Sequence, residues 1–96
     1  MVAADAVSFP LELETRVNGN RRQHDNTANM TFAIPRLIEY ASRFVTLEAG
    51  DIIASGTPSG VGMRRDPPRW LTEGDCLDIE ISGVGVLSNP IRNEVA

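Results

Sequence analysis

A chain of 96 residues, 42% hydrophobic and 23% charged, has room for one small domain with a thin core, and it is too apolar for a disordered segment. A net charge of −4 offers nothing to nucleic acid or to an anionic membrane surface, and no apolar run approaches the length of a membrane span. The single cysteine, Cys76, excludes an internal disulfide and a cysteine-rich metal site.

Met1 to Asp5 has neither the basic start nor the apolar middle of a secretory signal, so the expected compartment is the cytosol. Phe9-Pro10 reads as a turn or lead-in. From Leu11 to Val17, apolar residues and threonine alternate with Glu12, Glu14 and Arg16, the period of a half-buried strand. Asn18-Gly19 is the preferred pair for a type I′ hairpin turn, and Asn20 to Gln23 would return as a second strand. His24 to Met30 is polar and reads as a loop with a solvated histidine. Asp25 would face away from His24 on a strand and so makes it no metal partner.

Ile34, Leu37, Ile38, Ala41 and Phe44 recur at helical spacing, and Pro35 suits a first turn. This predicts an amphipathic helix over Ile34 to Arg43 with its apolar stripe in the core. Leu47-Glu48-Ala49-Gly50-Asp51 and Leu71-Thr72-Glu73-Gly74-Asp75 share one pattern, Leu-x-x-Gly-Asp followed by a strand. It reads as recurring turn chemistry rather than as a pair of catalytic carboxylates. The first copy leads into a buried strand at Asp51 to Ala54 and the second into one at Cys76 to Ile81, where Cys76 would be a small buried residue. Met63 to Trp70 is a surface loop. Ser82-Gly83 turns into a strand at Val84 to Leu87, and Asn89-Pro90 ends regular structure. The sum is five or six strands and one helix, a β-rich α+β class.

Ser55 to Gly62 holds three glycines, a proline and three hydroxyls at the end of a strand. Such a loop either simply connects or turns backbone N–H groups and hydroxyls toward a small oxyanion. Phosphate binding is disfavoured. The chain has no lysine for a Walker loop, and Gly56, Gly60 and Gly62 are not spaced as a dinucleotide fingerprint.

Six blocks then stand in one order: 17–23, 27–32, 47–53, 55–62, 71–75 and 83–89, with Asn18-Gly19, Gly50-Asp51, Gly56-Thr57-Pro58 and Gly74-Asp75 among them. Together they resemble the C-terminal part of the fumarylacetoacetate hydrolase family, over nearly the whole chain. The resemblance implies part of a mixed β-sandwich roll, a dimer or other homo-oligomer, and chemistry on a 2-oxo acid. The enzymes in question are acylpyruvate hydrolases, oxaloacetate decarboxylases and isomerase/decarboxylases of aromatic catabolism, which use Mg²⁺ or Mn²⁺. It also implies that Gly56, Thr57 and Pro58 lie against the substrate carboxylate, with Thr57 the residue in direct contact, while the metal polarises the 2-oxo group.

The family's Glu-x-Glu pair, its metal-binding Asp and its lysine stand upstream of the matched hairpin, and this chain begins after them. Glu12 and Glu14 spell Glu-x-Glu but match a non-catalytic strand. Ala49 and Ser55 replace the usual proline and threonine. The expectation is therefore the C-terminal piece of a metal-dependent 2-oxo acid enzyme, with no metal ligands and no cofactor in this chain alone. Uncovered apolar sheet would drive it to self-associate. The alternative is a binding or assembly module that kept the fold without the metal site.

Overall fold

The structure, a computed structural model, describes residues 2–95. Four strands form one antiparallel sheet: β1 (Glu12–Val17), β2 (Asn20–Asn26), β3 (Cys76–Ile81) and β4 (Gly85–Pro90), in the order β2-β1-β3-β4. One helix, α1 (Ile34–Ser42), and a long irregular stretch lie between β2 and β3. Among the described residues no helix is long and apolar enough to cross a membrane.

The β1–β2 turn has the expected geometry, with Asn18 at φ 51° and Gly19 at φ 80° and Val17 opposite Asn20. Asn18 also ties the hairpin to β3: its carboxamide accepts from Cys76 N–H at 2.9 Å and donates to Asp75 Oδ1 at 2.8 Å. At the other end of β1, Leu11 and Thr27 exchange two bonds, and Glu12 N–H donates to Ser82 Oγ.

Period-two alternation gives the sheet two unlike faces. Leu13, Val17, Leu77, Ile79 and Ile81 share one; Glu14, Arg16, Asp78 and Glu80 share the other. On the charged face Arg16 bridges Glu14 at 2.8 Å and Glu80 at 2.9 Å, and Arg21 adds a second pair to Glu14. Arg21 first, then Arg16, holds the Glu14 carboxyl below its ordinary range. Glu80 and Glu14 raise the Arg16 guanidinium.

The two Leu-x-x-Gly-Asp units fold alike, as the shared pattern predicts. Gly50 and Gly74 sit at φ 97° and 93°; Glu48 N–H donates to Asp51 Oδ2 at 2.8 Å and Thr72 N–H to Asp75 Oδ2 at 2.9 Å.

Other expectations are corrected. The strands number four, because Asp51 to Ala54 has no strand hydrogen-bonded beside it among the described residues, and Ile52 is 92% exposed there. An apolar run becomes a strand only where another strand accepts its N–H and C=O groups. His24 lies on β2 rather than in a loop, opposite Glu14 and exposed. The helix ends at Ser42, and its stripe is not core. It has no buried residue, and Phe44, stacked edge-on against Tyr40 at 5.3 Å, is 72% exposed. Cys76 is exposed, because Leu77, Ile79 and Ile81 take the apolar face and leave it the charged one, near Ser88 Oγ. Strand β4 runs on through Asn89-Pro90, since an edge strand tolerates a residue with no N–H to give. Leu11 and Val17 are the buried apolar residues among those described.

The joint between hairpin and β3 predicts a pH dependence. The backbone N–H of Thr72 first, then the Asn18 carboxamide, holds Asp75 below the ordinary carboxylate range. A depressed native pKa means that the unfolded chain takes up the proton first. The stabilisation is therefore present above the ordinary value of about 4 and is lost as pH falls through the native one. Urea midpoints are expected to hold from pH 7 to about 5 and to fall in more acid solution. Asp75→Asn should be less stable at pH 7 and show a shallower acid limb.

Candidate functional site

The apolar face of the sheet, the 27–32 turn, the start of α1 and the 55–58 loop enclose an open groove of about 640 Å³. Leu13, Thr15 and Ile79 form its floor; Gln23, Asp25 and Thr57 supply polar groups.

Gly56, Thr57 and Pro58 all stand on the rim, with Gly56 at φ 95°. No atom lies within 4 Å of where a Gly56 Cβ would be, so glycine is needed there for the backbone turn rather than for space. Thr57 is exposed, and Pro58 is half-buried. Gln23 of β2 holds both: its Nε2 donates to Thr57 Oγ1 at 2.9 Å and to Pro58 O at 2.9 Å. A carbonyl only accepts, so the nitrogen end of the carboxamide must face Pro58. Thr57 Oγ1 accepts from Gln23, which leaves its own O–H free to donate into the groove. Sequence reading did not single out Gln23. It sits in the matched Arg-Arg-Gln run, and the face of the sheet it takes was not readable.

Asp25 is the groove's carboxylate, and sequence reading missed that too. Its Oδ1 accepts from Asn29 Nδ2 and from Asn26 N–H, each at 2.8 Å, and the Asn29 bond is the main cause that lowers its pKa. Glu12 and Glu14 project to the other face, where Glu14 is engaged by two arginines. A hard divalent cation needs several oxygen ligands held together. Among the described residues no group of three His, Cys, Asp or Glu offers that, so the side chains here do not fit an Mg²⁺ or Mn²⁺ site by themselves.

A second cavity of about 310 Å³ lies farther along the same face, lined by Arg22, Gly60, Gly62, Arg65 and Trp70 among others. Here the 55–62 loop touches backbone. A Cβ on Gly60 would overlap the Arg22 carbonyl oxygen, and one on Gly62 would overlap that of Arg69. Arg69 N–H donates to Gly62 O at 2.8 Å across this contact.

The model of the fumarylacetoacetate (FAA) hydrolase C-terminal region matches residues 1–92. The chain belongs to the fumarylacetoacetate hydrolase family. Oxaloacetate tautomerase YisK of Bacillus subtilis (strain 168) is 57% identical over 81 residues, 84% of this chain and 27% of that protein. Fumarylacetoacetate hydrolase from psychrophilic Exiguobacterium antarcticum superposes with a TM-score of 0.91 at 42% identity, over 97% of this chain and 34% of that one. Maleylpyruvate hydrolase from Sphingobium sp. SYK-6, solved with manganese(II) and pyruvate, gives 0.81 at 40% identity, over 94% and 32%. The chain thus spans about a third of the family proteins it matches. The four-stranded sheet with one helix is the fold it shares with these solved members of the family.

The tight contact at Gly62 yields a stability prediction. Gly62→Ala must push the Arg69 backbone away and strain their hydrogen bond. Overpacking of this kind costs about 1–3 kcal/mol, read as a lower urea midpoint at unchanged m-value.

Proposed function

We propose that this chain is the C-terminal portion of a divalent-metal-dependent enzyme that acts on a 2-oxo acid by C–C bond hydrolysis, decarboxylation or isomerisation. In this reading the Gly56-Thr57-Pro58 loop holds the substrate carboxylate. The observation that carries it is the fixed Thr57: a hydroxyl held by Gln23 with its proton free, on the rim of a groove with an apolar floor. Thr57 is the residue proposed to touch substrate, and Gly56 and Pro58 shape the turn. Two relatives support the substrate class, since one is named for oxaloacetate and another was solved with pyruvate. Both compounds are 2-oxo acids. The manganese in that second structure supports a divalent cation in the complete enzyme. Its ligands would come from residues other than these. The proposed setting is the cytosol, in keeping with the single cysteine.

The chemistry asked of this chain is binding and orientation. The Thr57 O–H donates to a carboxylate oxygen, and in a complete enzyme that covers the groove the apolar floor strengthens that bond. A carboxylate held at one end fixes where the 2-oxo group lies. The test is a chimera in which the 81 residues that align with the Bacillus tautomerase replace the matching segment there. An active chimera is expected, and Thr57→Val, which keeps shape and N–H, should lower kcat/KM about ten- to a hundredfold through an unpaired carboxylate oxygen. Parent-like turnover in the Thr57→Val chimera would make the hydroxyl structural.

A second reading, a binding or assembly module, shares the lack of a metal-ligating cluster among the described residues, and the chimera separates the two. An inactive but folded chimera would favour it.

Self-association belongs to the same proposal. Phe32, Ile38, Phe44, Ile52, Trp70 and Leu87 are between 47% and 92% exposed, large apolar side chains of the kind a partner covers. Sedimentation velocity should show a dimer or larger species, and a single monomeric boundary at high concentration would contradict it.

A further inference from the structure

The β1–β2 ladder slips by one residue. Thr15 faces Gln23, yet its neighbour Arg16 faces Arg21, so Arg22 is an extra residue with no partner in the pairing. This is a β-bulge, and a bulged residue loses its ladder hydrogen bonds. The Arg22 carbonyl is not left bare: Arg65 Nη2 donates to it at 2.6 Å, and Arg65 Nε donates to Gly60 O at 3.2 Å. Arg65 is half-buried and forms no ion pair among the described residues. One guanidinium thus joins the bulge on β2 to the far end of the 55–62 loop. Gly60 lets the loop lie against the same carbonyl, where a Cβ would overlap it.

The bulge has a consequence for the groove. With unbroken pairing from Val17 and Asn20, position 23 would stand opposite Glu14 on the charged face and position 24 on the groove face. The extra residue reverses this, so Gln23 faces the groove and His24 does not. Only then does Gln23 reach Thr57 and Pro58.

We infer that Arg65 is a positioning residue of the Thr57 loop: by capping the bulged Arg22 carbonyl and binding Gly60, it sets the face of Gln23 and through it the direction of the Thr57 hydroxyl. The link to substrate rests on the carboxylate-binding reading above; the positioning itself does not. A guanidinium suits the task because its rigid planar fork presents several donors at once, whereas an ammonium is a point charge on a flexible stem.

The experiment is heteronuclear NMR on the full chain without ligand. In the parent, the Gln23 side-chain amide protons should give two well-separated signals and cross-peaks to the Thr57 methyl. Arg65→Met should abolish those cross-peaks and draw the two signals toward the positions of a free glutamine, while β3 amides from Leu77 to Ile81 stay put. Arg65→Lys keeps the charge but reaches a single carbonyl, so the same signals should move the same way by less. Gly60→Ala breaks the latch from its other side and should reproduce the loss, which keeps the test sound if Arg65→Met fails to fold. Unchanged Gln23 and Thr57 signals in a folded Arg65 variant would overturn the inference. So would a change spread evenly over the sheet, which marks general stability alone. Failure of the Thr57→Val chimera would leave these signals as they are, so the two ideas fail separately.

Discussion

One backbone carbonyl, that of Arg22, is the point on which the site geometry turns. A carbonyl expelled from a sheet ladder needs a donor, and an unpaired one away from water costs on the order of 1–3 kcal/mol. Arg65 supplies that donor, and the loop end at Gly60 lies against the same oxygen. The bulge is therefore stable where a plain hairpin would have kept its register. Everything downstream on β2 inherits the shift: Gln23 and Asp25 enter the groove, and His24 goes to the charged face beside Glu14.

Around that point the sheet separates two kinds of physics. One face is an ion network, Glu80–Arg16–Glu14–Arg21, in which Arg21 and Arg16 favour the charged form of Glu14, and Glu80 and Glu14 that of Arg16. These pairs are solvent-accessible and contribute little to stability, but they keep that face wet. The other face is apolar and half-covered, with α1 touching the groove through Ile34 and Leu37. A surface of that kind suits a role in which another surface, or a small molecule, completes the covering.

The loop chemistry follows from donors that are already satisfied on one side. Gln23 uses both amide hydrogens on the loop, one on a carbonyl and one on a hydroxyl. A hydroxyl that accepts from a fixed carboxamide has fewer directions left for its own proton. On the proposed carboxylate-binding reading, that restriction readies the donor before the ligand arrives.

Several features were legible in the sequence because they depend on neighbours a few residues away. Asn18-Gly19 selects its turn through positive φ, Gly50-Asp51 and Gly74-Asp75 build the same capped turn twice, and the 3.6-residue period marks α1. Alternation in Leu77, Ile79 and Ile81 also foretold β3, and read strictly it puts Cys76 on the wet face. The family was legible too, since six short motifs stand in order. The tertiary structure decided what depends on distant partners. Asp51 to Ala54 has strand composition, but a strand needs a neighbour to bond, and none runs beside it among the described residues. The α1 stripe has helical period, but burial needs an opposing surface. Above all, no local signal in Arg21-Arg22-Gln23-His24 says which residue is the extra one. That choice belongs to Arg65 and Gly60, about forty residues on, because only a donor and a gap at that distance make the displaced carbonyl tolerable.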